Sequence, residues 1–193
     1  MFSITSSAIY GIQAIPVSVE ADVAGGLPRC TIVGLPDTSV RESKDRIRSA
    51  IKNSGFAFPR GRVTINLAPA HLRKQGALYD LPIAIALLCR EGHVKEQALH
   101  GAVVVGELGL HGEVRPMRGV LSTALMAQEI GCPFLFVPKA NVREAALVKN
   151  VSVFGVETLI ELIEHLNGNQ TIEAAPQTKL EPRVDEEVCL SDV

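Results

Sequence analysis

The chain has 193 residues and a net charge of −2, with 47% apolar and 21% charged residues, the balance of a globular domain with a full core. Aromatic residues make up 4% and Trp is absent, so the core rests on Val, Ile, Leu and Ala, and recognition by exposed stacking rings is disfavoured. No apolar run approaches the roughly 20 residues needed to cross a bilayer, and the N-terminus lacks the basic and apolar regions of a signal peptide. The expectation is a cytoplasmic protein with no membrane partner.

Residues 8–10 and 13–23 read as strands around a turn at Gly11. Val17, Val19, Ala21 and Val23 alternate with Ser18, Glu20 and Asp22, the period of a half-buried strand. Residues 24–28 turn the chain into a strand over 29–35. Asp37 or Thr38 caps a helix whose inner face is Val40, Ile47, Ala50 and Ile51, and Gly55 stops it. Its opposite face carries Arg41, Lys44, Arg48 and Lys52. Residues 62–68 form a strand with Val63, Ile65 and Leu67 on one side. Residues 71–80 read as a polar loop, and 81–90 as an apolar, central helix with Asp80 as its cap and Pro82 in the first turn. A Val-rich strand spans 102–110, followed by a turn into 113–116. A helix covers 119–130, a strand 134–137, a short helix capped by Asn141 runs to Val148, a strand covers 151–154, and a last helix 156–166. Strands first, then alternating helices and strands, give a mixed α/β or α+β domain over residues 1–167. From residue 168 periodicity disappears, and 168–193 is expected to be a flexible acidic linker or tail.

Charge is unevenly placed. Residues 41–74 hold nine basic and two acidic residues, whereas residues 157–193 hold nine acidic and two basic ones. An anionic partner for the first stretch follows as one reading, and an outer solvated face as the other. Cys30, Cys89, Cys132 and Cys189 form no CxxC pair, and the five histidines show no metal-ligand spacing. Buried free thiols and no resident metal are expected. Glu107 and Glu113 flank a turn, with Arg115 as their partner.

Three long strings carry a resemblance. They are Val33-Gly-Leu-Pro-Asp-Thr-Ser-Val-Arg-Glu-Ser and its continuation to Phe56, Val63-Thr-Ile-Asn-Leu-Ala-Pro-Ala-His-Leu-Arg-Lys-Gln-Gly with Tyr79-Asp-Leu-Pro-Ile-Ala-Ile, and Val105-Gly-Glu-Leu-Gly-Leu-His-Gly-Glu-Val-Arg-Pro. Collinear from about Met1 to Leu166, they resemble the N-terminal domain of the ComM family of magnesium-chelatase-like AAA+ ATPases. That resemblance implies a fold like the Lon protease domain and the second domain of a small-subunit ribosomal protein. The third string is also similar to the matching region of Lon and of the RadA recombination ATPase. The resemblance further implies a role in DNA processing, of the helicase and branch-migration type linked to competence.

The motor's own signature is not in the sequence. A Walker A loop, G-x-x-x-x-G-K-[ST], does not occur, so ATP and Mg²⁺ are expected only on an AAA+ motor domain supplied in cis or in trans, and no cofactor on this chain. Lon-type proteolysis needs a Ser nucleophile and a Lys base. The resemblance aligns them with Ile83 and Leu121, so no protease is expected, and Ser122 reads as a hydroxyl on a helix surface. The expectation is therefore a non-catalytic domain that contacts DNA or neighbouring subunits, with Arg60, Arg62, Arg73 and Lys74 as the contact candidates. The alternatives are a pure protein-interaction or homo-oligomerisation module and, less favoured, a degenerate Lon-like hydrolase.

Overall fold

The computed structural model describes residues 3–178. Strands β1 (Ile4–Tyr10) and β2 (Gln13–Ala24) form the expected hairpin, closed by Gly11 at φ 61°. Strand β3 (Arg29–Val33), helix α1 (Thr38–Asn53) and strand β4 (Arg62–Ala68) follow as a parallel crossover unit. Next come α2 (Asp80–Arg90), β5 (Ala102–Val104), β6 (Glu107–Leu108), β7 (Val114–Arg115) and α3 (Val120–Glu129). The described chain finishes with β8 (Phe134–Pro138), α4 (Val142–Ala145), β9 (Ser152–Val156) and α5 (Leu159–Asn167).

Seven strands make one sheet in the order β3–β4–β2–β1–β5–β8–β9. β2 is antiparallel to both β1 and β4, and the other neighbouring pairs are parallel. This is the expected mixed α/β architecture, consistent with a Lon-protease-domain-like fold. Helix α2 lies against β1 and β2, α3 against β2 and β8, and α1 beside α2. Every residue of α2 except Arg90 is buried. Burying a Leu or Ile contributes about 1.5–3 kcal/mol, so α2 is the principal hydrophobic element of the core. No described helix is long and apolar enough to cross a membrane.

Three expectations change. The strand expected over 102–110 breaks after Val104. Gly106 spends its backbone elsewhere, donating to Leu78 O (2.9 Å) and accepting from Leu81 N–H (3.0 Å). A Cβ there would sit 2.9 Å from Val114, and only glycine fits. The chain leaves the sheet, and β6 pairs with β7 in a separate ribbon. Asn141 does not cap α4 with its side chain, and the helix stops at Ala145. Its amide instead clasps the backbone of Met117, accepting from the N–H (3.0 Å) and donating to the carbonyl (2.9 Å).

The third concerns the tail. Gly168 ends α5 at φ 79°, yet residues 169–178 pack onto the domain. Ile172 is buried and gives its N–H to His165 Nδ1 (3.0 Å). Ala174 bridges Phe154, and Ala175 N–H reaches Val153 O at 2.8 Å, so this segment lies along the outer edge of β9. The rest of the expected tail, 179–193, lies outside the described residues. Ile172→Ala is therefore expected to lower stability by about 2 kcal/mol in urea unfolding, where a free linker predicts no change.

Candidate nucleic-acid interface

The four cationic candidates do not form one patch. Arg60 and Arg62 stand where β4 begins, and Arg73 and Lys74 follow where it ends. The seven residues of β4 separate the pairs by roughly 20 Å. Arg62 is exposed and lies opposite Ala24 and Arg29 in the sheet, so Arg29 joins it at the same end. Arg60 is exposed at the mouth of an open cavity of about 580 Å³, lined also by Arg48, Lys52, Phe56 and Phe58. The Arg48 guanidinium sits 5.0 Å over the Phe58 ring, a cation–π contact that holds its stem while leaving the charge outward. Among the described residues Arg29, Arg48, Lys52, Arg60 and Arg62 have no acidic partner within ion-pair distance. Uncompensated cations at one end of the sheet, with an apolar floor, suit a polyanion.

At the other end, Arg73 uses its backbone rather than its charge. Its N–H donates to the Tyr10 hydroxyl (3.0 Å), which donates back to its carbonyl (3.2 Å). The Arg73 side chain is exposed. Lys74 is fully buried and cannot reach a phosphate. Its ammonium donates to Pro69 O, and burial pulls its pKa below the usual lysine range. The loop that reads as polar surface folds back on the end of β3. Lys74 N–H bonds Leu35 O (3.1 Å) and its carbonyl takes Asp37 N–H (3.0 Å), and this pairing turns the side chain inward.

Asp80 is also not the cap it is expected to be. The α2 N-terminus has no side-chain cap, and Asp80 is completely buried. Its carboxylate receives Arg46 Nε at 2.8 Å, Arg46 Nη2 at 3.3 Å and Leu108 N–H at 3.3 Å. Desolvation raises its pKa to about 6, opposed by the bonds from Arg46 and Leu108. The pair ties α1 to α2 and to β6. Nothing in the local sequence of Arg46 distinguishes it from the solvated cations around it.

An open cleft of about 730 Å³ lies between the segments leading into α2 and α3. It is lined by Ile9, Gly11, residues 75–78, Glu107 and residues 116–119. Ile83, at the position aligned with the protease nucleophile, is buried in the core. Leu121, aligned with the protease base, is partly exposed, and its N–H donates to Glu144 Oε1 (3.1 Å). Ser122 Oγ donates to Ile12 O at 2.7 Å, so the hydroxyl closes the hairpin rather than meeting a base. Glu107 and Glu113 flank their turn as expected, with Arg115 3.6 Å and 3.1 Å away. Cys89 is buried, and Cys30 and Cys132 are half-buried. Cys189 lies outside the described residues. Among the described residues no three His, Cys, Asp or Glu side chains cluster as a metal site.

A family model described as subunit ChlI of Mg-chelatase matches residues 19–141, from mid-β2 to the start of α4. The chain belongs to this family. Within it the chain is of the ComM and YifB type. It is 38% identical to the competence protein ComM of Haemophilus influenzae over 180 residues, which is 93% of this chain and 35% of that protein. It is 41% identical to the uncharacterised protein YifB of Escherichia coli over 171 residues, 89% of this chain and 34% of that one. A 60-residue stretch is 37% identical to the DNA repair protein RadA of Listeria monocytogenes, covering 31% of this chain and 13% of that protein. The chain thus spans about a third of the length of the ComM and YifB relatives.

Arg46→Ala is expected to cost about 3 kcal/mol, because it strands a buried carboxylate. Asp80 also imposes a pH dependence. Its pKa of about 6 in the fold exceeds the ordinary 3.8, so its favourable contribution is complete below 3.8 and is lost as pH rises through about 6. Unfolding stability is expected to fall across that window by on the order of 3 kcal/mol on this account. Urea titrations of Asp80→Asn should show that slope removed.

Proposed function

We propose that this chain is a non-catalytic domain of a magnesium-chelatase-like AAA+ ATPase of DNA processing, and that it contacts the DNA backbone through the sheet end bearing Arg60 and Arg62. Arg29, Arg48 and Lys52 extend the same surface. The observation that carries this reading is that Arg48, Lys52 and Arg60 line one open cavity, with Arg62 and Arg29 at the adjoining strand ends, and that none of the five has an acidic partner among the described residues. Two relatives bear names from DNA biology, a competence protein and a DNA repair protein. Phosphate neutralisation releases condensed counterions, so the contact is sequence-independent and salt-sensitive. With Phe58 already under Arg48, the site offers charge more than stacking. ATP and Mg²⁺ belong to a motor domain working in cis or in trans, in the cytoplasm, and this chain performs no hydrolysis.

A second reading, contact with a neighbouring subunit or the motor, is favoured by one observation. Ile12, at 90% exposure on the hairpin tip, stands with Leu125 around a small cavity against α3. Solvent-exposed apolar side chains grouped this way suit a protein surface.

Fluorescence anisotropy with single-stranded, duplex and forked DNA over a salt series separates the readings. The expected result is binding that Arg60→Ala with Arg62→Ala weakens by about tenfold, with a salt slope shallower by about 2. Arg73→Ala is expected to leave it unchanged. Absence of binding at low salt, or affinity indifferent to the double substitution, sinks the nucleic-acid reading in favour of the subunit contact.

A further inference from the structure

The last described segment is attached to the domain differently from the rest. Past Gly168 the chain turns back along β9, where Ala174 bridges Phe154 and Ala175 N–H donates to Val153 O at 2.8 Å. Thr178 N–H then reaches Ala146 O at 2.9 Å. Open space lies on both flanks. A cavity of about 310 Å³ beside Pro133 and Asn150 reaches Ala175 and Gln177, and one of about 420 Å³ beside Lys139 and Val142 reaches residues 171–176. Between residues 171 and 178 the one buried side chain is Ile172. A segment held by a few bonds over open space can detach while the core stays folded.

The bond that seats Ile172 is made by a titratable ring. Ile172 donates its N–H to His165 Nδ1 at 3.0 Å. The ring is half-buried, its centroid 5.5 Å from that of Phe136 and 5.3 Å from that of Phe154, the residue the segment bridges. Only a neutral imidazole with its proton on Nε2 accepts at Nδ1, and a protonated ring sets N–H against N–H. Burial draws the ring's pKa below the ordinary 6.5, opposed by Glu161 on the same helix. β8 and β9 offer it Phe136 and Phe154, which carry no charge. The other titratable groups on the elements around α5 are Glu164, engaged by Asn169 at 2.8 Å, Glu173 of the segment, His93 and Glu96, and the Lys139–Glu157 pair at 3.4 Å.

We propose that residues 171–178 form a detachable strap latched by the unprotonated His165 ring, and that acidification releases it and uncovers Phe154 and the outer edge of β9. This does not depend on the nucleic-acid reading. Above the ordinary histidine value the ring is neutral with the strap on or off, and the latch is fully closed. As pH falls below 6.5 the ring of the released strap takes a proton before the ring of the latched one, so each step down favours release. Asp80 titrates in the same range with the opposite sign, its contribution growing as pH falls, so the core does not loosen with the strap.

Hydrogen exchange of the full chain at about pH 7.5 and about pH 5, each corrected for the intrinsic exchange rate, tests it. Protection of residues 171–178 is expected to fall about tenfold at the lower pH, while that of α2 does not fall. The variant His165→Asn offers Ile172 N–H a side-chain oxygen that takes no proton in this range, so its strap should show no such fall. A wild-type strap equally protected at both pH values overturns the proposal. So does a His165→Asn chain whose strap keeps the wild-type fall. The first comparison is read on the unaltered chain and stands whether or not the variant folds.

Discussion

The fold turns on a charge taken out of water. Asp80 is wholly buried at the start of the most apolar helix, and Arg46 reaches it from α1 at 2.8 Å. A lone carboxylate there is prohibitive, so α1 must lie where its guanidinium can answer. The third bond, from Leu108 N–H, requires the chain to leave the sheet after β5, which Gly106 permits. One carboxylate thereby sets the position of α1, the register of α2 and the departure of the β6–β7 ribbon. Because α1 is pinned near its middle, its later turns carry Arg48 and Lys52 to the cavity that Arg60 closes. The basic surface is in this sense a consequence of the buried pair.

The molecule separates its two notable concavities. One is the cleft between the approaches to α2 and α3, near which Ile83 is packed into the core and Ser122 is bonded to Ile12. The other, the cationic cavity at the beginning of β4, is framed by Arg48, Lys52 and Arg60, which have no acidic partner among the described residues.

Much of this was legible in the sequence because it is periodic. The alternation along β2 and β4, the inner face of α1 and the apolar length of α2 all follow from spacing that local chemistry dictates. The cap of α1 was readable as Asp37 or Thr38, and it is Asp37, whose carboxylate needs only Val40 N–H three residues away. Lys74 and Asp80 were not, because their roles depend on partners brought in by the tertiary fold. Lys74 looks like one more loop cation until Leu35 and Asp37, in the segment after β3, bond its backbone, and Asp80 looks like a cap until Arg46, 34 residues earlier, is folded onto it. The break at Gly106 is hidden inside an apolar run, and the packing of Ile172 is a single residue in a stretch without period. Of the four contact candidates, the strand expected over 62–68 already set Arg60 and Arg62 at one end of β4 and Arg73 and Lys74 beyond the other, whereas the burial of Lys74 was hidden.

Hydrogen exchange read by mass spectrometry, on the free chain and on the chain saturated with forked DNA, tests the central claim most directly. Exchange is expected to slow in the last turn of α1 and through residues 55–63, with the loop around Arg73 and the cleft segments 75–78 and 116–119 unchanged. Protection centred on those cleft segments, with residues 55–63 exchanging as in the free chain, would contradict it.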